Sequence, residues 1–437
     1  MSTSDLWHAP RSEGPIDATA DVPGSKSQTN RQLLLAALAS EPTLLTRPLR
    51  SRDTHLMADA LRELGTRIDD AGEDLTDWRI TPGPITGGVE IDCGLAGTVM
   101  RFVPPLAALG NGPVVLDGDP AARTRPMAPL VAALRSLGIQ VDAAGGPGAE
   151  VLPITLHSTG SVAGGELTVD ASSSSQFVSA LLLAAPRFDK GIDLRHAGGR
   201  MPSLPHVDMT VDVLRSLGVR VDVHEGLSGI PNRWVVSPGP IAGGEFHIEP
   251  DLSNAAPFLS AAAVTGGTVR VAGWPTETTQ AGDAFPGLLA QMGAQVDWVS
   301  EDVLQVTGPA HDDLRGIDVD LHDVGELAPT LAAVATLAMS PSRLRGIAHL
   351  RGHETNRLEA LVTEINRLGG EARETDDGIE ILPAYLHGAD VETYGDHRMA
   401  TFGAILGLRV DGVQVRDVKT AGKTIPNFVE RWSALLG

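Results

Sequence analysis

The sequence predicts an α/β chain of two domains, each built from three copies of one strand–helix–strand–helix–strand unit. Three observations predict it. A helix ending in Leu-x-x-Leu-Gly or a near relative recurs six times, the first five followed by a strand. A glycine-led alternating strand recurs between those endings. The helix that follows each such strand is apolar on nearly every face, so it must be buried. Buried inner helices put the sheets on the outside, the inverse of a doubly wound fold.

The helix endings come first. Leu61-Arg62-Glu63-Leu64-Gly65, Leu134-Arg135-Ser136-Leu137-Gly138, Leu214-Arg215-Ser216-Leu217-Gly218, Leu289-Ala290-Gln291-Met292-Gly293, Ile365-Asn366-Arg367-Leu368-Gly369 and Trp432-Ser433-Ala434-Leu435-Leu436-Gly437 share the pattern. Their glycines are 73, 80, 75, 76 and 68 residues apart. Each stands where a helix C-terminus favours a left-handed residue. The leading strands follow: Gly87-Gly88-Val89-Glu90-Ile91-Asp92, Gly164-Gly165-Glu166-Leu167-Thr168-Val169, Gly243-Gly244-Glu245-Phe246-His247-Ile248 and Gly316-Ile317-Asp318-Val319-Asp320-Leu321. Inner helices are expected to start near Ser27, Thr98, Ser175, Ser253, Glu326 and His397. A unit of about 75 residues used six times is a structural repeat. One domain is expected to span 1–23 plus 244–437, the other 24–243. The N-terminal strand is expected to belong with the C-terminal half.

Composition narrows the function classes. The chain has 437 residues, 42% hydrophobic and 4% aromatic, with a formal charge of −21. That acidity argues against nucleic-acid binding. No apolar run approaches the roughly 20 residues of a membrane span. Met1 to Pro15 has no apolar signal core, and a cytoplasmic location is expected. The one cysteine, Cys93, rules out an internal disulfide and a cysteine-rich metal site. It reads as a small buried residue.

In so acidic a chain the cations at helix starts stand out. Gly24-Ser25-Lys26-Ser27 leads to Arg31, and Gly97-Thr98 to Arg101. Ser172 to Ser175 precede Gln176, and His397-Arg398 opens the last inner helix. Free N–H groups, hydroxyls and cations at a helix start form an anion site. The fourth start, Asp251-Leu252-Ser253-Asn254, has no cation and reads as structural. Arg125, Arg357 and Lys423 lie beyond the helix starts. Together the groups suggest two anions bound in one cleft, with Glu326 and Glu354 as carboxylates for proton transfer.

The combination Pro23-Gly24-Ser25-Lys26-Ser27 with Asn30-Arg31, Ala96-Gly97-Thr98, Arg125-Pro126, Ser174-Ser175-Gln176, Glu354-Thr355 with Arg357, Asp396-His397-Arg398-Met399 and Lys423-Thr424 resembles the 5-enolpyruvylshikimate-3-phosphate synthase family. The resemblance runs from Asp21 nearly to the end. It implies a two-domain inside-out α/β barrel of six repeats, with the active site in the interdomain cleft. It also implies transfer of the carboxyvinyl group of phosphoenolpyruvate to the 5-hydroxyl of shikimate 3-phosphate, the sixth step of the shikimate pathway. No metal or organic cofactor is implied, the substrates are the only partners, and a monomer is expected.

By the same resemblance, Lys26, Ser27, Arg31, Ser174, Ser175, Gln176, Ser203, Glu326 and His353 hold shikimate 3-phosphate. Lys26, Gly97, Arg125, Gln176, Arg357, Arg398 and Lys423 hold phosphoenolpyruvate. Glu326 takes the hydroxyl proton and Glu354 delivers one to the methylene carbon, with Lys26 a further candidate acid. The chain departs from the family pattern at five positions. Glu326 stands where Asp is frequent, His353 where Lys is common and His349 where Asn is common. Leu95 replaces an Asn, and His206 a Tyr. A cationic His353 would bind shikimate 3-phosphate less well as pH rises from 6 to 8. The nearest alternative is UDP-N-acetylglucosamine enolpyruvyl transferase, which typically carries a reactive loop cysteine and a Lys-Asn pair at the first helix start. A non-catalytic anion-binding scaffold would show no turnover at all.

Overall fold

The structure, a computed structural model, describes residues 6–437. It divides into two compact units. One is the continuous segment Gly24–Ile248; the other joins the residues up to Pro23 to Glu249–Gly437.

The Gly24–Ile248 unit holds three four-stranded sheets of one design. In one, Val89–Asp92 runs parallel to Asn111–Asp117. Asn111–Asp117 pairs antiparallel with Val151–Thr159, which pairs antiparallel with Gln140–Ala144. A parallel pair needs a crossover, and the helix Gly97–Ala107 supplies it. Gly165–Val169 and Ile192–His196 repeat the parallel pair around the helix Gln176–Ala184. In the third sheet the parallel partner of Thr43–Thr46 is Gly244–His247, from the far end of the segment. The sequence placed residues from 244 onward in the other domain. Their hydrogen bonds to 43–46 put 244–248 in this one.

The second unit repeats the design. Asp17–Ala20 runs parallel to Thr268–Ala272, and Asp318–Asp320 to Ser342–Arg345. The last sheet has three described strands: Asp390–Val391 lies parallel to Gln414–Arg416, which pairs antiparallel with Leu6–His8. Two leading strands are thereby exchanged. Asp17–Ala20 precedes the helix Lys26–Leu38 in the chain, yet it completes the sheet that follows the helix Leu252–Thr265. Gly244–His247 precedes Leu252–Thr265 and completes the sheet that follows Lys26–Leu38.

Each unit has its own apolar core, and no residue belongs to both. The inner helices are as apolar as their sequences require. Every residue of Leu252–Thr265 is buried, as are Thr29 to Leu38 of the first helix. A fully buried leucine stabilises by about 1.5–3 kcal/mol over an exposed one, and Leu33, Leu34 and Leu35 are all at 0% exposure. The six repeat glycines have φ between 82° and 110°, the left-handed region where a Cβ is strained. The inner helices begin at Lys26, Gly97, Gln176, Leu252, Ala328 and His397, with a 3₁₀ turn, Gly325–Leu327, leading into the fifth. No helix among the described residues is long and apolar enough to cross a membrane.

Candidate functional site

In the Gly24–Ile248 unit the site residues gather at three helix starts. Ser25 caps the first, its hydroxyl accepting from the Gln28 N–H at 3.4 Å. That puts Lys26 at the first helical position, where its ammonium lies 3.5 Å from the carboxylate of buried Asp53. Asn30 donates from Nδ2 to Thr98 Oγ1 at 2.7 Å, tying the first helix start to the second. At that second start a Cβ on Gly97 would sit 2.9 Å from Arg125 Nη2 and 3.0 Å from Nη1. The bare glycine lets the guanidinium lie against the helix terminus. Arg125 also donates to the Leu95 carbonyl at 3.3 Å. At the third start, Ser174 Oγ accepts from the Gln176 N–H at 3.3 Å, and Ser175 is the N-cap residue. Ser203 adopts a left-handed φ of 55° just before Leu204, the N-cap of the helix Pro205–Ser216, and its carbonyl accepts from the His206 N–H at 3.1 Å.

Arg31 is turned inward. It is 2% exposed and donates to Thr210 Oγ1, the Ser27 carbonyl, Ser179 Oγ and the His206 carbonyl at 2.8, 3.0, 3.4 and 2.8 Å. Its guanidinium carbon lies 5.2 Å from the centre of the Phe102 ring. In this arrangement Arg31 braces the Ser203–His206 turn. Half-buried Ser27 contributes its carbonyl to that brace.

In the other unit the groups form two linked clusters. Glu354 Oε1 accepts from Lys423 Nζ at 2.6 Å, and Oε2 lies 2.9 Å from His397 Nδ1. Burial alone would raise the Glu354 pKa. His397, Lys423 and Arg357 outweigh it and hold the carboxyl well below the usual range. Arg357 makes a two-pronged contact with Asp396, at 2.7 and 3.1 Å, with both side chains almost fully buried. Burial disfavours the charged guanidinium, but Asp396 and Glu354 more than offset this and raise its pKa. Asp396 is also the N-cap of the helix His397–Gly407, accepting from the Arg398 N–H at 2.9 Å. Glu354, Asp396 and His397 lie within 4.8 Å of one another, like a metal site. Lys423 and Arg357, however, already bring positive charge to the two carboxylates.

Glu326 belongs to the second cluster. Its Oε1 accepts from Ser253 Oγ at 2.6 Å, and its Oε2 is 3.8 Å from Arg398 Nη2. Ser253 is on the helix start that reads as structural in the sequence. The structure corrects that reading. Its neighbour Asn254 bonds Thr424 twice, donating to the carbonyl at 3.2 Å and accepting from the hydroxyl at 3.0 Å. The fourth helix start therefore positions both Glu326 and the Lys423–Thr424 segment. The absence of a cation hid this role, and hydroxyl and amide side chains in a first turn were the available signal.

Three histidines gather beside these clusters, their rings edge-on or tilted to one another. The His349 ring centre is 5.8 Å from that of His322 and 5.8 Å from that of His353. Arg357 Nη1 lies 3.3 Å from His353 Nδ1. A guanidinium can only donate, so the contact is a hydrogen bond in the tautomer whose Nδ1 accepts. His349 has its pKa pushed down to about 4, by burial first and then by His322 and Arg357. Unfolded, it would titrate near ~6.5. Between the two values the unfolded chain holds a proton that the folded chain does not, so acid favours unfolding. This contribution to stability is whole above pH ~6.5 and shrinks as pH falls toward 4. From pH 7.5 to 5 the His349→Asn variant is expected to lose about 2 kcal/mol less unfolding free energy than wild type. Urea titrations at the two pH values would measure it, and equal losses would contradict it.

Cys93 is buried, and burial first, then Asp92 and Asp117, pushes its thiol far up, so it is no reactive nucleophile.

The chain matches the family model for EPSP synthase (3-phosphoshikimate 1-carboxyvinyltransferase) over residues 10–432. A protein of Kocuria rhizophila named 3-phosphoshikimate 1-carboxyvinyltransferase is 57% identical over 445 residues, covering 99% of this chain and 97% of that protein. Among solved structures, an EPSP synthase from Acinetobacter baumannii superposes with a TM-score of 0.78 at 23% identity, over 98% of this chain and 97% of that one. A second structure of EPSP synthase from the same organism gives 0.76 at 23% identity over 97% of both chains. These two structures bear on the fold.

Proposed function

The chain belongs to the EPSP synthase family, and from that premise we propose which of its side chains do what in the reaction. The enzyme transfers the carboxyvinyl group of phosphoenolpyruvate to the 5-hydroxyl of shikimate 3-phosphate and releases phosphate, a step of the shikimate pathway.

The reading rests on one observation: Glu354 is held between Lys423 and His397. A carboxylate held ionised between Lys423 and His397 cannot start as the proton donor. It first receives a proton from Lys423 Nζ or His397 Nδ1 and passes it to the methylene carbon of phosphoenolpyruvate. The 5-hydroxyl oxygen bonds to the enol carbon as its proton goes to Glu326, which Ser253 and Arg398 orient. In the second half the methyl group returns a proton to Glu354, the carbon–oxygen bond to phosphate breaks, and phosphate leaves with the hydroxyl proton. Lys26 reaches both substrates from the first helix start. Ser27, Ser174, Ser175, Gln176 and Ser203 hold shikimate 3-phosphate, Arg31 bracing the turn that carries Ser203. His353 offers it Nε2–H as a neutral donor. Gly97, Arg125, Gln176, Arg398 and Lys423 hold phosphoenolpyruvate, with Arg357 supplying charge from behind His353. We infer that the enzyme works as a monomer in the cytoplasm.

Phosphate release from phosphoenolpyruvate with shikimate 3-phosphate, and none with UDP-N-acetylglucosamine, is the expected assay result. Release with the sugar nucleotide alone would overturn it. Arg125→Ala is expected to raise the KM for phosphoenolpyruvate by about 10–150-fold, the worth of a charged hydrogen bond. Shikimate 3-phosphate binding should stay nearly unchanged; equal loss for both would refute the donor assignment. Gly97→Ala places a methyl against the same guanidinium and is expected to raise that KM about tenfold through misplacement alone. A variant with unaltered KM would show that Arg125 works from another position.

A further inference from the structure

Arg101 lies one turn into the helix Gly97–Ala107 and is 4% exposed. Its Nη1 donates to Gln176 Oε1 at 2.7 Å, and its guanidinium carbon stands 5.3 Å from the Phe177 ring centre. Its Nε is buried and has no hydrogen-bond partner. Among the described residues no carboxylate pairs with it. The one charged group that shifts its titration is another cation, Arg125, and burial and that repulsion drive its pKa well down. Arg357 is the instructive contrast, equally buried but clasped by Asp396.

Burying a cation without an anion is unfavourable, and an apolar side chain of similar length would serve packing better. The position is therefore expensive for the empty protein. It becomes favourable once a negative charge arrives nearby. Arg101 also settles the orientation of Gln176. A guanidinium only donates, so the amide must turn its oxygen toward Arg101 and its NH₂ away from it.

We propose that Arg101 is a positioning residue for phosphoenolpyruvate: it holds the Gln176 amide with its NH₂ free to donate, and its buried charge is balanced by the donor anion. The proposal rests on the assignment of Arg125 and Gln176 to that substrate. It requires no contact between Arg101 and the ligand. In a site shielded from water, a charge one shell back still attracts an anion strongly.

The test separates this role from a structural one by sign. Arg101→Met keeps the length and removes the charge. It is expected to melt at or above the wild-type temperature while the KM for phosphoenolpyruvate rises about tenfold. kcat should fall by less than KM rises, and the KM for shikimate 3-phosphate should change by less than threefold. Arg101→Lys keeps a charge without the fork, and its KM is expected between those of wild type and Arg101→Met. A lower melting temperature with equal losses on both substrates would overturn the proposal, as would a KM for phosphoenolpyruvate that does not move. If Arg101→Met is insoluble, Arg101→Lys decides: a wild-type KM for phosphoenolpyruvate overturns the proposal, and a raised one sustains it. Arg125→Ala run alongside tells the two failures apart. A selective defect in Arg125→Ala with none in either Arg101 variant removes this inference and leaves the site assignment standing.

Discussion

Replacing Glu354 with Gln is expected to lower kcat by about 10²–10⁴-fold, the usual worth of a positioned acid–base group. The amide is isosteric: its oxygen still accepts from Lys423 and its NH₂ takes the place of the oxygen beside His397 Nδ1, so the fold should survive. What it cannot do is carry the proton between those donors and the methylene carbon. The KM values should move far less than kcat, because the cations that hold phosphoenolpyruvate remain. Stability is expected to fall as well, because Lys423 keeps a nearly buried charge without the carboxylate that balanced it. Single-turnover kinetics with both substrates would show a slow chemical step. A variant retaining a tenth of wild-type kcat would remove Glu354 from the proton path and leave Lys26 as the candidate acid.

The largest stability effect is expected at Asp396. Asp396→Ala strips Arg357 of its two-pronged partner and leaves a guanidinium with 3% exposure facing a cavity. Breaking a buried pair from one side costs about 3–5 kcal/mol. The same change removes the N-cap of the helix His397–Gly407, worth about 1 kcal/mol more. A total near 4–6 kcal/mol is a large part of a domain's stability. The urea midpoint of the variant should fall accordingly. Asp396→Asn keeps the cap and should lose distinctly less. If the two variants unfold at the same urea concentration, the capping role is wrong. If neither differs from wild type, the ion pair contributes nothing.

The repeat is legible in the sequence because each of its signals is local. A leucine pair before a glycine, a glycine before an alternating strand and an alanine-rich apolar run each need only a short window. The six inner helix starts accordingly fall within two residues of the expected positions. Lys26, Gly97 and Gln176 are legible for the same reason, since they sit at those starts. What is not legible is the partner of each charged group. Ser253 meets Glu326 across 73 residues, Glu354 meets Lys423 across 69, and Arg357 meets Asp396 across 39. Nothing in a local window says that Arg31 points inward or that Arg101 lacks an anion. The exchange of residues 244–248 is hidden likewise, because a strand's neighbour is chosen by the sheet and its own composition only says that it is a strand.

That exchange bears on how the protein is made. The strand Asp17–Ala20 leaves the ribosome early, but its sheet neighbour does not yet exist. The Ile16 N–H that bonds Thr265 Oγ1 waits for a residue 249 positions later. At about 5–20 residues per second of synthesis, that is on the order of ten to fifty seconds. In the same interval Gly24–Ile248 emerges whole, with all three of its sheets complete. Vectorial synthesis thus imposes an order: the later-numbered unit cannot close its first sheet until the inner segment is finished. A nascent chain stalled once Ile248 has cleared the ribosome should already carry a protease-resistant body, with Asp17–Ala20 still unpaired.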